Sequence, residues 1–392
     1  MITSIFSTIK NEFCKLFRQK IIIVVILIIP ILINFLLGYE FSNEQIQNVP
    51  MVVYDQDNSS LSRMIVQQFE ENETFDVKYF VNDIEEMKEL FNTSKARTGM
   101  VIPKDFSKDM LNLKSPTIMM IYDGSHMSIA GAAKAKASEI LITLKTGTVI
   151  KLLQGKLNLP ADVAQKIALS IKFTNRFMYN PTKSFRNFLN PGFGVAIVQT
   201  GIVLMGAVAI VEEEIEKKKE KIGYLIGKII FYSLIGWISF VSSILIQSKF
   251  FNLPFRGQMS DAMKLSALMS LSVATFSIMV STWIKNKLLA TQINAVLFVP
   301  NTVIVGYTWP VMSMKESYQV VAEYFPFYHY VDNIRDMYLK GTSLSKMTQD
   351  IEWFYIFIAV TFSISLIGIL RLKAPDKSIV SEEEEEEAIV LS

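Results

Sequence analysis

Six long apolar runs constrain this chain more than any other feature of its sequence. A helix needs about 20 predominantly apolar residues to cross the hydrocarbon core of a bilayer. The runs are residues 21–38, 193–211, 222–247, 262–284, 288–311 and 353–372. Hydrophobic residues make up 51% of the 392-residue chain and its mean hydropathy is +0.32, which is typical of integral membrane proteins. The sequence therefore predicts an α-helical polytopic membrane protein with six transmembrane helices.

The distribution of Lys and Arg predicts how the chain is oriented, because cytoplasmic loops carry an excess of basic residues. Basic residues cluster in the segment 1–20, in the loop after the second run, in the loop after the fourth run and after the sixth run. With six spans, all of these segments lie on the same side of the membrane. The loop 312–352 lies on the opposite side and also carries basic residues, which weakens the difference without reversing it. We therefore expect both termini in the cytoplasm and the chain in the inner membrane of a bacterial cell. The first run lacks a cleavage site, which favours a retained anchor over a signal peptide.

A polar segment, 39–190, separates the first two runs, and the predicted orientation places it outside the cytoplasm. Strand-like stretches such as 49–57 and 75–81 alternate with helical patterns such as 83–92 and 128–154. This alternation predicts an inserted extracytoplasmic α/β domain. At the other side, residues 1–20 form an amphipathic pattern that suits a cytoplasmic interfacial helix. Its apolar stripe consists of Ile5, Phe6, Ile9, Phe13 and Phe17.

A dense block of charge lies between the second and third runs. Acidic residues come first in it and basic residues follow, in a stretch with high helix propensity. The simplest interpretation is a solvated turn that fixes topology. The alternative is a rigid polar element that docks a cytoplasmic partner. The candidate docking residues of the block are Glu212, Glu213, Glu214, Glu216, Lys217, Lys218, Lys219 and Lys221.

Several polar residues interrupt the apolar runs, where polar groups are costly unless they face a partner helix or a cavity. One interpretation is hydrogen bonding between helices, worth about 1 kcal/mol each. The other is that they line a transport path or the seam of a dimer. The candidates are Gln199, Thr200, Gln292, Asn294 and Asn301. We find no Asp, Glu, Lys or Arg deep inside a run, which argues against a proton relay of the kind that secondary transporters need.

The composition excludes several other classes of protein. The chain has one cysteine and two histidines, so it offers no zinc-ligand cluster, and it has no P-loop, zinc-protease or nucleophile-elbow motif. An enzyme is therefore disfavoured, and we expect no cofactor bound by this chain. The net charge of +2 gives no general attraction to nucleic acid. The lipid bilayer is the partner that the composition itself implies.

The loop 312–352 follows the fifth run and is rich in aromatic residues, which suit a membrane–water interface. An aromatic belt is the simpler interpretation of this loop. His329 lies between two tyrosines, and a packing role is favoured over a pH-sensitive one. The segment 373–392 is an acidic tail that contains six consecutive glutamates, 382–387, and we expect it to be disordered and cytoplasmic.

Several strings spread along the chain form a pattern that is shared with a known family. Early strings are "VVYDQDNSSLSRMI", "MVIPKDFSKDM" and "YNPTKSFRNFLNPGFGVAIVQTG". Later strings are "LIGKIIFYSLIG", "NLPFRG", "GYTWPVMSM" and "YFPFYHYVDNIRDMYLKG". In their order and spacing, over nearly the whole chain, these strings resemble the permease subunit of a type-2 ATP-binding-cassette (ABC) exporter, of the subgroup with a large external domain between the first two transmembrane helices.

The resemblance implies a function and a set of partners. ATP and Mg²⁺ would be bound by a separate ATPase subunit, and this chain would form the path as a homodimer or with a sibling permease. A periplasmic adaptor and an outer-membrane channel are further candidate partners. Related permeases export drugs, lipids, glycan precursors or ions, and no residue here selects among them. The rival function is a membrane-anchored scaffold or sensor whose external domain binds a ligand or an envelope partner.

The resemblance also assigns roles to segments of the chain. The family contacts its ATPase through the loop between the second and third transmembrane helices, which corresponds to a coupling loop at 212–223. This sequence lacks the Gly-Thr and Pro of the family pattern there, so the loop is predicted to be shortened. The rest of 191–372 would hold transmembrane helices 2–6, with 312–352 as a re-entrant loop. The external gate would consist of Trp309, Pro310, Phe325, Pro326 and Tyr328.

Overall fold

The chain folds into two compact units, which we call the helical unit and the sheet unit. The helical unit comprises Met1–Glu44 and Phe177–Ser392, and the sheet unit comprises Gln45–Arg176. The computed structural model describes residues 1–42, 44–112, 114–169, 176–211 and 218–372. For Lys218 and Lys219 it describes the backbone but not the side chain. The predicted tail 373–392 therefore lies outside the described residues.

Among the described residues of the helical unit, six helices are long and apolar enough to cross a membrane, which confirms the polytopic helical architecture. We number them as spans 1 to 6 in chain order. They are Ile21–Glu40, Phe185–Ala207, Glu220–Phe250, Met259–Trp283, Lys287–Ile304 and Thr348–Arg371. Spans 2, 3 and 4 are the most buried, whereas spans 1, 5 and 6 expose most of their surface within this single chain. The central spans therefore form the core, and the outer three present apolar faces to their surroundings.

Span 2 begins several residues before the predicted start at residue 193. The predicted start was the first residue of the apolar run, which lies two residues after Pro191, and a proline removes a backbone donor and usually ends a helix. The structure keeps Pro191 inside the helix Phe185–Ala207, where the side chain of Ser184 caps the first turn. The predicted segment 39–190 is accordingly longer than the sheet unit at both ends. Span 1 continues to Glu40, and span 2 takes up residues 185–190.

An N-terminal helix, Ile2–Arg18, precedes span 1. It buries Thr8, Glu12 and Leu16, whereas Phe6, Phe13 and Phe17 are exposed. The predicted apolar stripe is thus largely free of contacts within the chain, and the buried face carries a carboxylate. The helix packs against the first turns of span 3, where Ser4 Oγ donates to the Glu220 carbonyl at 3.1 Å.

Two helices lie between spans 5 and 6, and we call them loop helices A and B. Loop helix A is Glu316–Glu323 and loop helix B is Pro326–Leu339. Loop helix B buries Phe327, Tyr330 and other apolar side chains in the core of the helical unit, whereas loop helix A is mostly exposed. The aromatic residues of this loop are therefore divided between core packing and an exposed surface.

The sheet unit contains four strands, β1 (Val49–Asp55), β2 (Phe75–Phe80), β3 (Thr98–Ile102) and β4 (Met119–Tyr122). Their order is β2-β1-β3-β4, with β1 parallel to both β2 and β3, and β4 antiparallel to β3. Five helices are present in the part of this unit that the structure describes. They are α1 (Ser60–Glu70), α2 (Ile84–Asn92), α3 (Phe106–Leu111), α4 (Met127–Leu157) and α5 (Ala161–Ala168).

Local sequence signals explain where the helices of the sheet unit begin. Ser59 and Ser62 form a capping box at the start of α1, and Asp83 accepts a hydrogen bond from the Glu86 amide at 2.7 Å at the start of α2. The predicted N-cap at Asp83 is thereby confirmed. The two faces of the sheet carry separate cores, one that includes Phe69 and Ala133 and one that includes Met87 and Ala96. The predicted alternation of strands and helices is present in this unit.

Candidate functional site

The predicted coupling block lies mostly outside the described residues. The residues of the block that the structure does not describe are Glu212, Glu213, Glu214, Glu216 and Lys217. Lys218 and Lys219 are described by their helical backbone only. The side chain of Lys221 is buried, and its ammonium group donates to the carbonyl of Leu372 at the end of span 6. Lys221 therefore ties the beginning of span 3 to the end of span 6.

A buried ion pair lies just beyond this block. Lys228 Nζ is 2.7 Å from Glu12 Oε1, and the two side chains are 1% and 3% exposed. Lys228 Nζ also donates to the Ala209 carbonyl at 2.7 Å, and Ala209 lies two residues after the end of span 2. One ammonium group thus joins the N-terminal helix, the end of span 2 and the first turns of span 3. We call this arrangement the Lys228 junction.

The expectation of no charged residue deep in a span was wrong at Lys228. A charged group in an apolar run is tolerated when an opposite charge and further hydrogen bonds compensate its desolvation. The compensating Glu12 lies in a helix 216 residues earlier in the chain. A hydropathy pattern cannot reveal that partner, and the signal available in the sequence was a lone lysine in the string "LIGK".

Small residues on span 3 allow the N-terminal helix to approach closely. A Cβ atom on Gly227 would lie 2.7 Å from Thr8 Cβ, and one on Gly223 would lie 2.7 Å from Ser4 Cβ. Such contacts are shorter than van der Waals distance, so neither position accepts a side chain without movement of the N-terminal helix. The spacing of the two glycines is the small-xxx-small pattern of close helix pairs. It brings Glu12 within reach of Lys228.

At the other end of span 2, a tyrosine hydroxyl is inserted into the backbone hydrogen bonds of the helix. The Gly192 amide donates to Tyr307 Oη at 2.8 Å, and Tyr307 Oη donates towards the Phe188 carbonyl at 2.7 Å. In an uninterrupted helix these two backbone groups would bond each other directly. Pro191 has no N–H group and therefore breaks one backbone hydrogen bond of the helix. Tyr307 supplies hydrogen bonds to backbone groups next to this break, which helps the helix to continue through the proline.

An arginine from loop helix B covers this break. The Arg335 guanidinium lies 4.7 Å from the ring centroid of Phe188 and 4.9 Å from that of Tyr307, and it pairs with Asp332. In cation–π contacts of this kind the guanidinium is attracted to the face of the aromatic ring. The segment 185–192, Tyr307 and loop helix B are thus linked into one assembly at this end of the bundle.

A second group of polar side chains donates hydrogen bonds to backbone carbonyls of span 2 on either side of Pro191 and Gly192. Asn34 Nδ2 donates to the Gly194 carbonyl at 3.3 Å, and Gln247 Nε2 donates to the Asn190 carbonyl at 2.9 Å. Asn34 Oδ1 in turn accepts hydrogen bonds from Ser243 and Gln247 at 2.7 Å each. Spans 1, 2 and 3 are therefore joined by a buried hydrogen-bond network. We did not predict it; the visible signals were Asn34 in the first run and Ser243 and Gln247 in the third, whereas span 2 contributes backbone carbonyls.

The five predicted polar candidates do not share one environment. Gln199 and Asn294 are buried, Thr200 is half-buried, and Gln292 is exposed. Gln199 Nε2 donates to the Phe298 carbonyl at 3.3 Å, whereas its Oε1 atom is buried without a partner among the described residues. Both side-chain polar atoms of Asn301 are likewise buried without a partner in the described part of the chain. Buried polar atoms without partners are rare in folded proteins and call for an explanation.

An open cavity of about 460 Å³ lies where spans 1, 2 and 5 meet. Its walls are mainly apolar, with Ile33, Phe193 and Phe298 among them. Thr200 and Asn301 are the two predicted candidates that line it, and Glu40 lies at its rim. The cavity therefore combines an apolar wall with a few polar groups, the composition that small-molecule sites usually have.

The predicted gate residues lie around the loop helices. Trp309 is 60% exposed, Phe325 and Pro326 begin loop helix B, and the Phe325 ring lies 6.4 Å from that of Phe298. Pro310 directly precedes a short turn of helix at Val311–Ser313, and Tyr328 is half-buried. Phe325 is thus the gate candidate in contact with a residue of the cavity wall.

His329 has the packing role that was favoured for it, together with two hydrogen bonds. Its Nδ1 atom lies 2.8 Å from Asp350 Oδ1 and its Nε2 atom 2.8 Å from the Glu323 carbonyl. The imidazole also stacks on Trp353, with ring centroids 4.0 Å apart. His329 therefore connects loop helices A and B to the beginning of span 6.

Comparisons with known proteins agree with this architecture. A family model described as ABC-2 family transporter protein matches residues 20–367. The chain is 22% identical over 361 residues to the probable multidrug ABC transporter permease YbhR of Escherichia coli, covering 89% of this chain and 93% of that protein. It is 25% identical over 292 residues to the probable multidrug ABC transporter permease YbhS of the same organism, covering 71% and 72%.

A more distant relative is the ABC transporter G family member 20 of Dictyostelium discoideum, which is 21% identical over 210 residues, 51% of this chain and 28% of that protein. The family model covers most of the chain, including all but the last residues of span 6. Together with six apolar helices, these matches identify a multi-pass membrane protein that is not itself an enzyme. The chain belongs to the ABC-2 family of transporter proteins and is the transmembrane permease subunit of an ABC exporter, with ATP hydrolysis on a separate subunit.

Proposed function

We propose that the cavity between spans 1, 2 and 5 is half of the translocation path and that a second permease, identical or a sibling, completes it. The observation that carries this proposal is Asn301, whose polar atoms are buried beside the cavity without partners among the described residues. A passing substrate, water or the partner permease would satisfy them. The other predicted polar candidates also belong to spans 2 and 5 and would contribute to the path or to the dimer interface. They are Gln199, Thr200, Gln292 and Asn294.

Span 5 supports a dimer because one of its faces is apolar and uncovered. Val296, Val299 and Val303 are 72%, 56% and 58% exposed and recur at helical spacing. Exposed apolar residues in a membrane span face either lipid or another protein. A two-fold interface would place this face, with the adjoining cavity, against its counterpart on the second permease.

We propose that ATP-driven movement reaches the spans through the Lys228 junction. The charged block would dock the ATPase subunit, which binds ATP and Mg²⁺. A push on that block would act on the end of span 2 and the beginning of span 3, which the Lys228 ammonium joins to the N-terminal helix. Lys221 would serve as an anchor to span 6 rather than as part of the docking surface.

The remaining features of the proposal concern sidedness and substrate. The charged block and the termini would be cytoplasmic in a bacterial inner membrane, and the sheet unit would be the external α/β domain. The relatives' names favour drugs over lipids, glycan precursors or ions as the exported substrates. An adaptor and an outer-membrane channel would be reached through the external domain. The gate would be the loop helices with Trp309, Pro310, Phe325, Pro326 and Tyr328.

Docking can be tested by co-purifying the ATPase with the permease from its own cells. The variant changes Glu212, Glu213, Glu214 and Glu216 to Ala. A matched control removes the same charge from the tail by changing residues 382–385 to Ala. We expect the ATPase to elute with the native chain and the tail control and to be lost from the block variant. Equal recovery of the ATPase with both variants would overturn the assignment of the docking surface.

A further inference from the structure

The sheet unit contains an open groove that the transport function does not require. Helices α1, α3 and α4 and the segment 114–118 surround a cavity of about 540 Å³. Small-molecule sites typically have volumes of about 300–1,000 Å³. The groove is therefore large enough for a ligand, and all its lining residues belong to this one unit.

The floor and the long wall of the groove are apolar. Ile65 and Phe106 form the floor, and both are buried in the core on one face of the sheet. Leu144 and Leu152, from the second half of α4, form part of the wall and remain half-buried. The buried residues of α4, Ala133 and Ala137, lie in its first half. The second half of the helix thus presents apolar side chains to a space that the sheet unit itself does not fill.

The polar residues of the groove carry positive charge. Lys114 and Lys145 line it, together with hydroxyl side chains such as Ser115 and Thr148, whereas no carboxylate is among its lining residues. Lys114 Nζ is 3.0 Å from Asp109 Oδ1, so its charge is partly compensated. Among the residues that the structure describes, no hydrogen bond or ion pair engages the Lys145 ammonium, and its side chain is exposed at the rim. Lys145 is thus the cation available to a ligand.

We propose that this groove binds a single-chain amphipathic anion, with the acidic head group at Lys145 and the hydrocarbon chain along Ile65, Phe106, Leu144 and Leu152. Burial of a chain on an apolar floor supplies affinity, and a lysine at the rim selects the sign of the head group. A cationic amphiphile of the same length would be repelled by the Lys145 ammonium, and among the described lining residues no carboxylate is present to attract it. Binding requires only the sheet unit's groove and therefore does not depend on ATP or on the proposed path.

The test uses the full chain in lipid nanodiscs and a photoreactive dodecanoate that carries a diazirine on its chain. After irradiation, labelled peptides are mapped by mass spectrometry. We expect labelling of α3 and the second half of α4, competed by dodecanoate and not by dodecyltrimethylammonium. Shorter carboxylates should compete less well, by about fourfold per methylene removed. Equal competition by the cationic amphiphile, or labelling confined to the spans, would overturn the proposal.

Two variants and a matched control locate the site. Lys145→Ala should weaken competition by dodecanoate about two- to fivefold, the range of an exposed ion pair. Leu144→Trp should fill the groove and abolish the α4 label. Lys151→Ala removes an exposed lysine from the same helix, outside the groove, and should change nothing. Equal affinity of the Lys145 and Lys151 variants would contradict the proposal, and because Lys145 is exposed this comparison holds even if the tryptophan variant does not fold.

Discussion

At the scale of single residues, the Lys228 junction is the feature with the largest expected effect on stability. Removing one member of a buried ion pair leaves the other charge uncompensated, at a cost of about 3–5 kcal/mol. We expect Lys228→Met to lower the thermal unfolding midpoint of the purified permease strongly, because Glu12 is 3% exposed and would lose its partner. The double variant, Glu12→Met combined with Lys228→Met, should recover most of the unfolding midpoint that the single variant loses. A double variant that is less stable than the single one would refute this pairing.

Tyr307 is the second residue whose hydroxyl has a specific structural task. Tyr307→Phe keeps the ring but leaves the Gly192 amide and the Phe188 carbonyl without the bridging hydroxyl. An unsatisfied buried polar group costs about 1–3 kcal/mol. We expect a lower unfolding midpoint and faster amide hydrogen exchange around residue 192. Tyr318→Phe is the control, because Tyr318 is 61% exposed, and it should be neutral. Similar exchange in the two variants would argue against the bridge.

In the sheet unit, Asp123 makes the free energy of unfolding depend on pH. Hydrogen bonds from Ser125 and the ion pair with Arg97 lower the pKa of Asp123 from its usual 3.8 to about 2. The carboxylate form therefore stabilises the folded state, fully above about pH 4 and progressively less as the pH falls towards 2. Asp123→Asn should lower the unfolding midpoint of the sheet unit at neutral pH and flatten its decline in this window. A native-like pH profile for the variant would contradict this role.

At the scale of elements, the close packing of the N-terminal helix on span 3 depends on Gly227. Gly227→Val would place side-chain atoms where Thr8 lies and should displace the helix. A spin label on Cys14, the sole cysteine and exposed on this helix, should become more mobile in the variant. Gly147→Val is the control, because a Cβ there meets nothing within 4 Å. Unchanged mobility in the Gly227 variant would mean that the helix is held by other contacts.

Elements with strong local signals could be predicted from the sequence, and elements that depend on distant partners could not. Apolar length predicted all six spans, and the cap at Asp83 predicted the start of α2. The start of span 2 was misplaced, because Tyr307, more than a hundred residues later, repairs the break beside Pro191. The network around Asn34 and the pairing of Lys228 were missed for the same reason. Each needs two or three segments to meet before its polar groups are satisfied.

At the scale of the whole molecule, the helical unit is a bundle with contacts that tie both of its ends and an open face between them. One end is held by the Lys228 junction, where movement of the charged block would enter. The opposite end of span 2 is held by Tyr307 and Arg335. Between them, the cavity lined by Thr200 and Asn301 lies against the uncovered face of span 5. Because span 2 is tied by contacts at both ends, a displacement of one end would be carried along it to the cavity.

The central claim is that this cavity belongs to a water-accessible path that ATP controls. The direct measurement is the rate at which a water-soluble thiol reagent modifies single cysteines placed in a Cys14→Ser background, in proteoliposomes that contain the permease with its ATPase. We expect Asn301→Cys and Thr200→Cys to react at rates that change when ATP is added. Ile367→Cys, 50% exposed on span 6, should stay unreactive in lipid. If Asn301→Cys is as unreactive as Ile367→Cys with and without ATP, the path does not run through this cavity.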